Sequence, residues 1–129
     1  MNNTLSVTPR ILVVEDDDNL HALIVKVVRR AGYDAVSAYS GEEALVILRD
    51  PGQRVDWLLT DIRLGGAVDG WVVGSEFSLA NPLRPIIFMS GVEEDSQARA
   101  ASNSIFLRKP VDPHELVRTF KSLTANSPD

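Results

Sequence analysis

Cysteine is absent from this chain, which excludes a disulfide framework, a thiolate metal site and a cysteine nucleophile. No apolar run approaches the length of a membrane span, and the opening MNNTLSVTPR has no apolar signal core. A cytoplasmic location and no membrane partner are therefore expected. Positive charge is in deficit: 13 Lys and Arg stand against 18 Asp and Glu, for a formal net charge of −5. A nucleic-acid partner usually demands a basic face, so none is expected. Histidine occurs twice, as His21 and His114, far apart in the sequence. His21 is expected on the exposed side of the first helix and His114 in the first turn of the last; neither is assigned to catalysis or metal binding. Internal repeats and low-complexity tracts are also missing.

What is present suits one folded unit. The chain has 129 residues, 44% of them hydrophobic, enough for one real core. It opens on Met and carries no tag, as expected of a complete gene product. Residues 1–9 read as a flexible lead, 10–124 as the domain and 125–129 as a flexible tail.

Within the domain, short apolar runs alternate with helical patterns. Ile11–Val14 reads as a strand buried on both faces. Residues 18–31 space Leu20, Leu23, Ile24, Val27 and Val28 as a helix, stopped by Gly32. Asp18 is the expected cap, with Asp17 competing for it. Asp34–Tyr39 is a second strand; Ser40 and Glu43 then form a capping box. Trp57–Thr60, Pro85–Met89 and Ile105–Leu107 supply three more strands, and residues 71–80 a further helix. Residues 93–101 make a weak polar helix. Asp112-Pro113-His114-Glu115 opens a final helix that runs to about Leu123. Five β/α units argue for a parallel sheet covered on both faces, with the ligand site outside the carboxyl ends of the strands.

The residues at those ends form a coherent set. Glu15 and Asp16 follow the first strand, Asp61 the third, Ser90 the fourth and Lys109 the fifth. Clustered carboxylates repel one another unless a cation sits among them, and an all-oxygen set favours a hard ion such as Mg²⁺. A carboxylate can attack a phosphoryl group, and Lys109 and Ser90 offer a charge and a hydroxyl to the new phosphate oxygens. Singly these residues are ordinary. Asp17 and Asp18 read as a solvated helix start, and Lys109 alone would be one more surface lysine.

The strings ILVVEDD at 11–17, LLTDIRL at 58–64, IIFMSG at 86–91 and FLRKP at 106–110 resemble, in order, the four signatures of bacterial response regulator receiver domains, over residues 9–124. The resemblance implies a flavodoxin-like (βα)5 three-layer α/β sandwich, with a five-stranded parallel sheet in the order 2-1-3-4-5. It implies phosphorelay signalling: Asp61 accepts a phosphoryl group from a sensor histidine kinase or histidine phosphotransfer protein. Asp16, Asp61 and the backbone carbonyl of Arg63 would bind Mg²⁺ directly, and Glu15 through water. Lys109 and Ser90 would contact the phosphoryl group, Ser90 and Phe106 would act as the switch pair, and Lys109–Pro110 would be cis. Output to an unknown downstream protein would use the face built by the helix at 93–101, the fifth strand and the last helix, in a monomer or weak dimer. Such a domain is a switch rather than an enzyme.

Three features depart from the family pattern. The 64–70 loop (Leu64-Gly65-Gly66-Ala67-Val68-Asp69-Gly70) replaces a single Pro-Gly turn and is expected to be longer or more mobile. The stretch from Ser90 to Lys109 is short, so the helix at 93–101 is expected to be frayed. Arg63 and Val92 take the variable positions beside the site, for which slow self-dephosphorylation is expected. Two competing classes are a pseudo-receiver that docks without phosphorylation and a haloacid-dehalogenase-like phosphatase. Intact Asp61, Lys109 and acidic residues speak against the first. Leu20, where the second class places Thr or Val after Asp16-x-Asp18, speaks against the second.

Overall fold

A computed structural model describes residues 8–91 and 103–125. The expected helix at 93–101, Val92, most of the 1–9 lead and most of the 125–129 tail lie outside the described residues. In chain order the elements are β1 (Arg10–Val14), α1 (Asp18–Arg30), β2 (Asp34–Ala38), α2 (Gly41–Leu48), β3 (Trp57–Asp61), α3 (Gly70–Ala80), β4 (Ile86–Ser90), β5 (Ser104–Arg108) and α4 (Pro113–Ala125). The five strands form one sheet in the order β2-β1-β3-β4-β5, and each neighbouring pair is parallel. This is the expected flavodoxin-like α/β fold.

The apolar runs explain the layering. Alternate strand residues point to opposite faces of a sheet. On β1, Leu12 and Val14 face a core shared with Leu58, Phe77 and Phe88, while Ile11 and Val13 face a core shared with Ile24, Leu59, Ile87 and Phe120. α2 and α3 thus cover one face and α1 and α4 the other. Every residue of β3 and β4 is buried, whereas the edge strands β2 and β5 are largely half-buried. The strongest apolar runs in the sequence are therefore the central strands.

Side-chain caps set where the helices begin. Asp17, not Asp18, caps α1: its Oδ1 accepts the Leu20 N–H at 2.9 Å, and Asp18 is already the first helical residue. Ser40 Oγ accepts the Glu43 N–H at 3.1 Å, while Glu43 Oε1 reaches back past the cap to the Tyr39 N–H at 2.8 Å. Asp69 caps α3 through the Val72 N–H at 3.0 Å. At the start of α4, Asp112 Oδ1 accepts from the His114 N–H at 2.9 Å. The Lys109–Pro110 peptide is cis, as expected.

One expectation fails. His21 is not on the exposed side of α1: it is 1% exposed, shares the face of Ile24 and Val28, and stacks on Tyr39 with ring centroids 4.0 Å apart. Its Nδ1 lies 2.9 Å from the Glu15 carbonyl, which can only accept, so Nδ1 carries the proton. That bond satisfies Nδ1, while Nε2 is buried with no hydrogen-bond partner among the described residues. His114 is exposed in the first turn of α4, as expected.

The core carries most of the stability. Phe77 is fully buried beneath the β1, β3 and β4 residues of its cluster. Phe77→Ala is expected to cost about 3–5 kcal/mol through lost burial and a residual cavity, read as a lower urea midpoint with unchanged slope.

Candidate functional site

The strand order decides which chain ends meet. β1 and β3 are neighbours, β4 lies beyond β3 and β5 beyond β4. The residues at their carboxyl ends therefore gather at the edge where the strand order reverses. Carboxylate oxygens of Glu15, Asp16 and Asp61 all lie within 4.8 Å of one another. Lys109 reaches in from the end of β5, its Nζ 2.6 Å from Asp61 Oδ2 and 3.2 Å from Glu15 Oε1. The Lys109 N–H donates to the Ser90 carbonyl at 2.8 Å, which joins the ends of β4 and β5.

Backbone donors hold each carboxylate. Asp61 Oδ1 accepts the Arg63 N–H at 3.1 Å, Glu15 Oε2 the Asp17 N–H at 3.0 Å, and Asp16 Oδ2 the Gly65 N–H at 2.9 Å. Gly70 opens α3 directly behind the site, where an added Cβ would lie 2.1 Å from the Asp61 carbonyl oxygen, so only glycine fits. The 64–70 loop is tied down rather than adrift: Gly65 holds Asp16, and the Ala67 N–H donates to Glu42 Oε2 at 3.2 Å.

The electrostatics follow from burial. Asp61 is 5% and Glu15 1% exposed, while Asp16 is open to solvent. Burial pushes the Glu15 carboxyl above its usual range and the Asp61 charge adds to this; the Asp17 N–H and Lys109 pull only partly the other way. Burial acts to lower the Lys109 ammonium, but the hydrogen bond and charge of Asp61, then those of Glu15, outweigh it and leave the group raised. Lys109 is thus held protonated. Glu15 Oε1 is buried with no hydrogen bond among the described residues, because Nζ stands at ion-pair distance outside bonding geometry. A buried anionic oxygen without a donor, beside two further carboxylates, suits a hard cation or its bound water.

All the expected site residues but one line this edge. Phe106 is set back in β5, half-buried, its ring stacked on Phe88 at 5.3 Å and 6.2 Å from Trp71. Arg63 has an exposed side chain, and its main chain is in the site. Ser90 is the last residue of β4 and is 9% exposed. Sequence reasoning missed His21, which braces the Glu15 main chain; its three- and seven-residue spacing to Ile24 and Val28 was the available signal. It also missed Glu42, which no motif marks.

The chain matches the response regulator receiver domain family over residues 11–121. It is 34% identical over 122 residues to the sensor kinase CckA of Brucella abortus, covering 92% of this chain and 13% of that protein. It is 33% identical over 120 residues to the transcriptional regulatory protein ZraR of Salmonella typhimurium, covering 91% of this chain and 26% of that protein. The chain therefore spans only a small part of these relatives. Its fold is similar to a response regulator receiver protein from Sinorhizobium medicae, with a TM-score of 0.85, 27% identity, and coverage of 92% and 96% of the two chains. The receiver domain of the hybrid histidine kinase CckA gives a TM-score of 0.74 at 31% identity, with 88% and 96% covered. The chain therefore belongs to the response regulator receiver domain family, a module of two-component systems. Among the described residues, no helix is long and apolar enough to cross a membrane.

The raised Glu15 carboxyl has a pH consequence. The native state holds the Glu15 proton more tightly than the unfolded chain, so its ionisation costs stability. The cost begins near the ordinary value of 4.5 and grows until pH passes the folded value. Glu15→Gln, in chelator and without metal, is expected to lose less stability than wild type as pH rises from mildly acidic to neutral. Parallel urea-midpoint profiles for the two proteins would contradict this.

Proposed function

We propose that Asp61 accepts a phosphoryl group from a phosphohistidine on a sensor histidine kinase or histidine phosphotransfer protein, and that the acceptor unit is residues 10–124. The observation that carries the reading is the Lys109–Asp61 contact at 2.6 Å, set beside Glu15 and Asp16 on the reversal edge of the sheet. Asp16 and Asp61 would hold Mg²⁺ directly together with the Arg63 carbonyl, and Glu15 through water. When bound, the ion supplies charge neutralisation for the incoming phosphoryl oxygens.

This chain's own residues do the rest. An Asp61 carboxylate oxygen attacks phosphorus; the new P–O bond forms as the P–N bond to the donor imidazole breaks, and the imidazole takes up a proton from solvent. The Arg63 N–H keeps the other Asp61 oxygen in place. Lys109 shifts from the carboxylate to a phosphoryl oxygen, which keeps its positive charge at the site. Ser90 donates its hydroxyl to another. Movement of Ser90 leaves room that Phe106 fills, and the β5–α4 side changes shape for a downstream protein in the cytoplasm. Asp18 belongs to α1 and stands outside the acidic cluster, which weighs against the two-aspartate phosphatase reading.

Incubation with acetyl phosphate and Mg²⁺ is expected to add the mass of one phosphoryl group to wild type and none to Asp61→Asn, and to fail in chelator. Unmodified wild type would favour the docking pseudo-receiver; equal labelling of Asp61→Asn would move the acceptor elsewhere.

A further inference from the structure

The acidic site has a brace that the reaction as described does not use. Glu42 lies in the first turn of α2, where an acidic side chain ordinarily does no more than complement the helix N-terminus. Its carboxylate instead engages the 64–70 loop, 25 residues along the chain: Oε2 accepts the Ala67 N–H at 3.2 Å. Gly66 is left-handed, with φ at 91°. A Cβ on Gly66 would stand 3.2 Å and 3.4 Å from the two Glu42 carboxylate oxygens. The far side of the loop is seated as well, since a Cβ on Gly41 would lie 2.3 Å from the Val68 carbonyl oxygen. Immediately upstream, the Gly65 N–H donates to Asp16 Oδ2 at 2.9 Å. Arg63, whose carbonyl is a proposed metal ligand, is two residues before Gly65.

We infer that Glu42 is a positioning residue for the metal site: it fixes the Gly65–Ala67 turn, and through that turn sets the orientation of Asp16 and of the Arg63 carbonyl. This rests on the metal-binding reading of the Glu15, Asp16 and Asp61 cluster. The physical logic is that of an outer ligand shell. A loop containing Gly65 and Gly66 has many accessible backbone states, and ordering it at the moment of metal binding costs affinity. Glu42, accepting from the Ala67 N–H, and Asp16, accepting from the Gly65 N–H, hold both ends of the turn before the ion arrives. Glutamate at position 42 acts here as an acceptor oxygen, which separates the brace from its charge.

The test is a calorimetric Mg²⁺ titration of the full chain as wild type, Glu42→Ala and Glu42→Gln, with amide exchange measured in metal-free protein. Glu42→Ala is expected to weaken Mg²⁺ about three- to tenfold, below the full loss typical of buried outer-shell partners. The amides of Gly65 and Ala67 in that variant should exchange at least severalfold faster. Glu42→Gln keeps an acceptor oxygen and should hold both quantities within about twofold of wild type. A role confined to the helix N-terminus would change thermal stability and leave Mg²⁺ affinity alone, and that result overturns the inference. Equal losses in the Gln and Ala variants also overturn it, since charge rather than the hydrogen bond would then be responsible. Wild type that takes up no Mg²⁺ fails the metal reading itself; normal binding by wild type and Glu42→Ala alike fails the brace alone.

Discussion

Three carboxylates of like charge packed within 4.8 Å, two of them almost fully buried, would by themselves push the chain apart. Lys109 offsets that repulsion. Its ammonium sits against Asp61 and near Glu15, and it is carried on the strand end that the sheet order brings to the same edge. Burial first, and the Asp61 charge after it, still hold the Glu15 carboxyl raised, and its Oε1 has Lys109 Nζ only at ion-pair distance. Under the proposed function, a cation beside these carboxylates and a phosphoryl group within reach of Lys109 would complete that offset. The burial that raises the Glu15 carboxyl also strengthens each electrostatic contact at this edge.

The rest of the fold serves to keep those charges from relaxing apart. Central strands buried on both faces give β1, β3 and β4 ends that cannot drift. Main-chain donors at Asp17, Arg63 and Gly65 each fix one carboxylate oxygen. Behind them stand His21, clamped between the Glu15 carbonyl and the Tyr39 ring, and Gly70, whose missing Cβ lets α3 begin against the Asp61 main chain. On the α3 face of the sheet, Phe106 of β5 packs into an aromatic row with Phe88 and Trp71. A change at Ser90 or Lys109 therefore abuts a packed and discrete arrangement rather than a compliant one.

Much of this was legible in the sequence because it depends on local pattern. Apolar runs mark buried strands, Ser40 and Asp112 announce helix starts, and the order of acids, hydroxyl and lysine after successive strands points to one edge. Where local signals were degenerate the reading slipped: Asp17 and Asp18 are chemically equivalent caps, and the backbone path out of β1 selects Asp17. His21 is polar yet shares the helical face of Ile24 and Val28, and that spacing rather than its polarity decides its burial. The glycines of the 64–70 loop signal freedom in the chain but cannot reveal that Asp16 and Glu42 remove it.

By itself the sequence determined the strand and helix succession, the layering and the identity of the charged residues, since periodicity and capping act over a few residues. Tertiary structure alone decided how deeply Glu15 is buried, that Lys109 divides itself between two carboxylates, and that Glu42 and His21 belong to the surroundings of the site. Those facts rest on hydrogen bonds, ion pairs and desolvation between residues far apart in the chain. Such interactions have no period and no spacing, and they come into being only when the sheet order sets the strand ends side by side.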